Sequence, residues 1–139
     1  MKKGSKGKVP TCTFGCHFTM DGYGGNPVKL NDKNLVHRVL NELPEKLGME
    51  KMTKPVVHWA EPRNMKDSGG YSGFVMIVES HISVHTFPKK RFVSIYAYTC
   101  KEDMNKDVLV GYFREMFELE DEEVQFFKRG LKFPQQDLA

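Results

Sequence analysis

The strongest β-strand pattern in the chain is Ser72-Gly73-Phe74-Val75-Met76-Ile77-Val78-Glu79-Ser80-His81-Ile82-Ser83-Val84-His85-Thr86-Phe87-Pro88. Successive side chains of a strand point to opposite faces of its sheet. The second half of this stretch therefore directs His81, Ser83 and His85 to one face and Ile82, Val84 and Thr86 to the other. This alternation predicts a strand with one buried apolar face and one half-exposed polar face.

Similar patterns on either side of this stretch extend the prediction to the whole chain. The strand signals and the helical spacing of apolar residues favour an α+β fold, a two-layer sandwich with a largely antiparallel sheet and helices on one face. We expect Pro44 to bend or end the first helix. The first predicted helix begins at Asn31 or Asp32, and the second covers Met104–Phe117. The predicted loops are Asp21–Pro27 and Pro62–Gly70, and a polar tail containing Pro134 follows the last strand. The predicted strands are Thr11–Met20, Val56–Trp59, Tyr71–Val78, His81–Phe87, Phe92–Tyr98 and Val124–Lys128.

The length and composition fit one globular domain. The chain has 139 residues, of which 40% are hydrophobic and 28% charged, and its net charge is +3. We expect a flexible basic tail over residues 1–10 and a single domain over residues 11–139. The three cysteines, Cys12, Cys16 and Cys100, are too few and odd in number for a disulfide framework and favour a reducing cytoplasm. The small net charge and the short apolar runs favour neither a nucleic-acid partner nor a membrane span.

Several kinds of chemistry compete for the polar face of the central stretch, beside the simple possibility of a solvated strand. A zinc site would use His81 and His85 with Cys12, Cys16 or His17, but the sequence has no C-x-x-C pair or H-E-x-x-H helix, so we expect no metal. A serine hydrolase would need a G-x-S-x-G elbow, and the segment Gly70–Phe74 lacks the final glycine. The remaining alternative is a rearrangement of the backbone at Glu79-Ser80.

The same stretch closely resembles the signature of the prokaryotic S-adenosylmethionine decarboxylases. In that family a Ser-Gly pair and an apolar segment precede Glu-Ser-His, and a Thr-Cys pair follows with its cysteine twenty residues after the serine. Here Thr99-Cys100 has that spacing from Ser80, and Gly15-Cys16-His17-Phe18 matches a G-x-H element near the start. The resemblance covers about residues 13–130.

The resemblance implies an enzyme that makes its own cofactor. The Ser80 hydroxyl would attack the carbonyl of Glu79, and the chain would separate into residues 1–79 and 80–139, with Ser80 converted to a covalent pyruvoyl group. The residue matching His85 acts as the base in processing, assisted by the one matching Ser72, and the cysteine matching Cys100 donates a proton to the substrate. The pyruvoyl group would form a Schiff base with S-adenosylmethionine, and the decarboxylated product would serve spermidine synthesis.

The resemblance also implies partners, and it leaves the substrate open. A homodimer of the cleaved protein is expected from the family. The chain departs from the family at Lys89, where an acidic residue is usual, at Tyr96, where an aspartate is usual, and at Lys101, where a glycine is usual. A pyruvoyl-dependent arginine or ornithine decarboxylase on the same scaffold is therefore an alternative.

Two more residues are candidates for substrate binding, and a non-catalytic function is a further alternative. Trp59 could stack on an adenine or contact a sulfonium, or it could simply be core. Asp21 could pair with a cationic substrate, or it could form a turn before Gly22. A regulatory paralogue without activity is disfavoured because the processing and catalytic residues are retained together: Ser72, Ser80, His85 and Cys100.

Overall fold

The computed structural model describes residues 9–101 and 103–139, so most of the predicted tail over residues 1–10 lies outside the described residues. These described residues fold into eight strands, three helices and a 3₁₀ turn at Pro88–Lys90. The strands are β1 (Thr11–Cys12), β2 (Gly15–Tyr23), β3 (Val56–Ala60), β4 (Gly70–Ile77), β5 (Ser80–Phe87), β6 (Phe92–Thr99), β7 (Asp121–Arg129) and β8 (Phe133–Pro134), and the helices are α1 (Pro27–Leu30), α2 (Lys33–Lys46) and α3 (Lys106–Phe117).

Six of the strands form one antiparallel sheet in the order β3-β4-β5-β6-β2-β7. Helix α2 packs on β3, β4 and β5, and α3 packs on β2. The buried side chains of the strands, such as Phe18, Ile82 and Ile95, alternate with more exposed ones and meet the helices. The predicted α+β sandwich with helices on one face is therefore confirmed.

Both long helices begin at a capping side chain and bury one apolar stripe. The Asp32 carboxylate accepts a hydrogen bond from the backbone N–H of Leu35 at 3.1 Å, and the Asn105 side chain accepts one from Val108 at the same distance. In α2 the residues Val36, Val39, Leu40 and Leu43 are fully buried, and in α3 so are Leu109, Phe113 and Phe117. The steps of three and four between them place each set on one helix face.

The structure corrects three details of the sequence prediction. Pro44 does not end α2, which continues to Lys46, because a proline in the last turn removes only one backbone hydrogen bond. The predicted loop from Asp21 is wrong at its start, since β2 continues to Tyr23 and is paired on both sides, with β6 and β7. The single strand expected over Thr11–Met20 is two strands, and Pro134 belongs to β8, which pairs with β1.

The other face of the sheet carries no helix among the described residues. We call it the outer face, and it presents His81, Ser83 and His85 from β5 together with rings from the other strands, among them Phe74, Tyr96 and Phe127. These three rings are each at least 40% exposed. No helix within the described ranges is long and apolar enough to cross a membrane.

Two glycines provide a test of the sheet packing. A Cβ added at Gly70 would lie 1.8 Å from the backbone oxygen of Thr86 on the neighbouring strand, whereas a Cβ at Gly111 in α3 meets nothing within 4 Å. We expect Gly70→Ala to lower the free energy of unfolding by about 2–3 kcal/mol, because backbone atoms must move. Gly111→Ala should raise it by about 0.5–1 kcal/mol. Urea unfolding measures both, and equal stability of the two variants would contradict the β4–β5 register.

Candidate functional site

The turn between β4 and β5 holds the Glu79-Ser80 peptide bond. Ile77 pairs with Ser80, which leaves only Val78 and Glu79 to connect the strands. Glu79 has φ +59°, in the left-handed region that a residue with a Cβ rarely adopts. The chain therefore bends at this bond, directly on the acyl side of Ser80.

A short segment before β3, Glu50–Met52, bonds to the residues that lead into this turn, and we call it the strap. The Val78 N–H donates to the carbonyl of Glu50, and the Met52 N–H donates to the carbonyl of Met76, both at 2.9 Å. Lys51 forms a bridge to Ile77, the last residue of β4. These bonds fix the backbone immediately before Glu79, so the left-handed conformation is imposed by the surrounding ladder.

Cys100 follows the end of β6 and lies next to the turn. Its backbone N–H donates a hydrogen bond to Ser80 Oγ at 3.2 Å. Its thiol lies 3.9 Å from Glu79 Oε1, within the range of an S–H donor. Glu79, Ser80 and Cys100 thus form one group, which we call the turn cluster.

Ser72 and His85 form a second group. They face each other across the β4–β5 ladder, and His85 Nδ1 lies 2.9 Å from Ser72 Oγ. Burial lowers the pKa of the His85 imidazole below its usual range, which favours the neutral ring that can accept a proton. When Nδ1–H donates to Ser72, Nε2 carries the free lone pair.

The two groups do not meet within one chain. Ser80 and His85 are five residues apart on the same extended strand. At about 3.3 Å per residue their Cα atoms are separated by roughly 16 Å. The two residues are therefore close in sequence but far apart in space, and the His85 imidazole does not reach the Ser80 hydroxyl of its own chain.

Asp21 and Trp59 also lie apart from the turn cluster. Asp21 pairs with Ser94, which pairs in turn with His85, so Asp21 shares a row of the outer face with the second group. Burial, and then the charge of Glu123, raise the pKa of its carboxyl. Trp59 is on the edge strand β3, is 44% exposed and contacts the ring of Tyr71, which belongs to the opposite end of the sheet from Ser80.

Sequence reasoning missed a row of rings beside the turn cluster. His17, Tyr98 and His81 are consecutive across β2, β6 and β5, with ring centroids 6.1 and 5.8 Å apart. Arg129 lies over the Tyr98 ring at 4.8 Å. Burial, and then the charge of Arg129, lower the pKa of both histidines. The Gly15-x-His17 element and the alternation of β5 pointed to the two histidines. The sequence did not show which strands pair, so it could not place the rings side by side.

The two histidines of this row also have unsatisfied nitrogen atoms. Nδ1 of His17 and Nδ1 of His81 are buried and have no hydrogen-bond partner among the described residues. Across residues 9–101 and 103–139 no three His, Cys, Asp or Glu side chains are grouped so that they could hold a metal ion.

Comparison with known proteins gives one consistent result. The sequence model of the S-adenosylmethionine decarboxylase family matches residues 16–130. The S-adenosylmethionine decarboxylase proenzyme of Pyrococcus horikoshii is 30% identical over 120 residues, which cover 86% of this chain and 81% of that protein. The S-adenosylmethionine decarboxylase proenzyme 2 of Halalkalibacterium halodurans is 31% identical over 119 residues, which cover 86% and 88%.

A solved structure shares the fold. The crystal structure of the adenosylmethionine decarboxylase from Aquifex aeolicus superposes with a TM-score of 0.74 and covers 91% of this chain and 98% of that one, at 21% sequence identity. At this identity the likeness concerns the fold alone.

Proposed function

The chain belongs to the S-adenosylmethionine decarboxylase family, and on this premise we propose that it is a pyruvoyl-dependent decarboxylase of S-adenosylmethionine, formed by its own cleavage between Glu79 and Ser80. The observation that carries the proposal is the left-handed conformation of Glu79 directly before Ser80, whose Oγ lies 3.2 Å from the Cys100 nitrogen. Cleavage would divide the protein into two chains, residues 1–79 and 80–139. The two would stay together in the single domain over residues 11–139. The product would be the aminopropyl donor for spermidine synthesis.

Cleavage begins with an acyl shift from nitrogen to oxygen. Ser80 Oγ adds to the carbonyl carbon of Glu79, its proton leaves, and the peptide C–N bond breaks to give an ester and a free amine. Removal of the Ser80 α-proton then breaks the Cβ–Oγ bond and releases the Glu79 carboxylate. The dehydroalanine left at position 80 takes up water and loses ammonia, which yields the pyruvoyl group.

The surroundings of the bond support this sequence of steps. A peptide carbonyl is a poor electrophile, and a left-handed non-glycine residue raises the ground-state energy by about 1–2 kcal/mol, which the shift can release. The Cys100 N–H fixes the attacking oxygen while leaving its proton free to depart. The strap at Glu50 and Met52 keeps the turn from relaxing to an unstrained conformation.

We infer that the base for this chemistry comes from a second copy. His85 Nε2 is the base that the family resemblance implies, and Ser72 orients its ring at 2.9 Å. The separation of roughly 16 Å along β5 prevents His85 from serving Ser80 of its own chain. A homodimer in which the outer faces pack together would remove this obstacle, because stacked sheets lie about 10 Å apart.

The outer face has the properties of such an interface. Large rings are exposed on it, including Phe74 (42%), Tyr96 (40%) and Phe127 (48%), although isolated sheets of this kind normally keep a polar outer side. The two-fold axis would lie between the two stacked sheets, perpendicular to β5, and would pass over the point midway between Ser80 and His85. It would bring the His85 of one copy to the turn cluster of the other. Two equivalent sites would result.

After cleavage the same residues would serve decarboxylation. The pyruvoyl group supplies an electrophilic carbonyl and an electron sink for the electrons released with CO₂. Cys100, whose backbone bonds to Ser80 and whose thiol lies beside Glu79, would donate the proton that the substrate carbon then needs. Asp21 and Trp59 remain candidates for substrate contacts, Asp21 through its position on the outer face and Trp59 at the far end of the sheet.

Ser80→Ala tests the origin of the cleavage. Without the attacking oxygen the chain should remain uncut and inactive, whereas the wild type should give two masses that divide between Glu79 and Ser80. Ser83→Ala, on the same strand, is the matched control and should still cleave. Intact-mass spectrometry distinguishes these results, and an uncut wild type that still releases CO₂ would disprove the pyruvoyl route.

Cys100→Ala separates processing from turnover. The variant should still cleave at least in part, but its rate of CO₂ release from S-adenosylmethionine should fall by roughly 10²–10⁴, the range for loss of a positioned acid. Cys12→Ala, in the small β1–β8 sheet, should keep its activity. Arginine and ornithine assayed in parallel test the alternative substrates, and undiminished turnover by Cys100→Ala would assign the proton to another group.

Co-expression of two inactive variants tests the base in trans. Ser80→Ala and His85→Ala should each remain uncut alone. In a mixed dimer, the His85→Ala copy should be cut by the intact His85 of the Ser80→Ala copy, because nucleophile and base come from different chains. Affinity tags on each copy and intact mass identify the cut chain. If neither chain is cut in purified mixed dimers, His85 acts within its own chain or not at all.

A further inference from the structure

The strand β7 ends the sheet, and along its free edge no other strand of residues 9–101 and 103–139 is paired with it. It is nine residues long and contains neither proline nor glycine. The opposite edge strand, β3, has five residues and follows Pro55. A long unprotected edge presents a row of backbone N–H and C=O groups that can pair with another strand.

We propose that this edge binds the β7 of a second copy in antiparallel orientation, in the register that sets Asp121 of each copy opposite Arg129 of the other. The partner is thus another molecule of this chain, and the contact is separate from the packing of the outer faces. A two-fold axis through Gln125 generates the pairing, as closed symmetric contacts require.

The charges along β7 are self-complementary in this register. The strand begins with Asp121, Glu122 and Glu123 and ends with Lys128 and Arg129. Antiparallel pairing about Gln125 sets the acidic end of one copy against the basic end of the other. Asp121 then faces Arg129 on the outer side, and Glu122, which also pairs with Arg114 of its own chain, faces Lys128 on the helix side. A row of charges of one sign would keep edges apart, whereas this segregated row attracts its own copy in only one orientation.

The centre of the strand supplies apolar contacts for the same register. Val124 would lie opposite Phe126 of the second copy on the helix side, and Val124 is 36% exposed in one chain. Beside these residues a groove of about 570 Å³ runs between β7 and α3, with Val110 and Lys106 among its lining residues. Val124 and Phe126 line this groove together with three charged side chains, Lys106, Asp107 and Arg114, so the groove offers both apolar and polar contacts next to β7.

Arg129 is available for this contact. Among the described residues no carboxylate pairs with its guanidinium, which rests on the Tyr98 ring at 4.8 Å. Asp121 is exposed, and its carboxylate accepts a local hydrogen bond from the Glu122 N–H. An ion pair between these two side chains would satisfy both without breaking a salt bridge of the single chain.

Charge reversal at the two ends tests the register. In the proposed register Asp121→Lys places two basic side chains opposite each other at each 121/129 pair, and Arg129→Glu places two acidic ones there, so each variant alone should weaken the edge contact at least about tenfold. Mixed in equal amounts, the two variants should pair with each other and restore the wild-type assembly. Sedimentation and native mass spectrometry measure the assemblies, and Lys33→Glu on α2 is the control that should change nothing.

The results separate this contact from the packing of the outer faces. If both contacts form, the wild type is a tetramer and each reversed variant a dimer that the mixture converts back to a tetramer. The neutral variants Asp121→Asn and Arg129→Gln, which keep the size of the side chains, should show the same direction with a smaller effect. A wild type that stays monomeric, reversed variants that assemble like the wild type, or a mixture that restores nothing would each overturn the proposal.

Discussion

The register of the β4–β5 hairpin is the constraint on which the rest of the site depends. Because Ile77 pairs with Ser80, only Val78 and Glu79 remain for the turn, and the positive φ of this two-residue connection falls on Glu79. The cost of about 1–2 kcal/mol is offset by the ladder on either side and by the strap at Glu50–Met52. Strain is thus stored directly beside the peptide bond at which we propose cleavage.

Most of the fold could be predicted from the sequence because local patterns agree with the final packing. The alternation in β5 and the helical spacing of Val36, Val39 and Leu43 each report which side is buried. The continuation of β2 through Gly22 could not be predicted, since a glycine next to an aspartate normally signals a turn. Here Gly22 is in the strand because Leu119 and Val93 leave no room for a Cβ.

The candidate site was only half visible in the sequence. The motif identifies the individual residues, but it suggests that Ser80 and His85 act together because they are close in number. In an extended strand five residues span more than any side chain can reach, so Ser80 and His85 are far apart in the fold. The hydrogen bond from Cys100 to Ser80 is the opposite case. These residues are twenty positions apart in sequence, and the pairing of β5 with β6 brings them together.

The separation of the turn cluster from His85 along β5 would, on the proposed mechanism, give the precursor a safeguard. The helix layer covers one face of a single chain, and if His85 acts on the second copy as proposed, the nucleophile lacks its base until the outer face is covered. Ser72 and His85 are already joined at 2.9 Å on paired strands, so the proposed assembly would bring a preformed base and would need no rearrangement of the sheet. On this proposal a chain that has not yet folded and paired would keep its backbone intact, and cleavage would follow assembly because the contact that covers the exposed rings would also deliver the base.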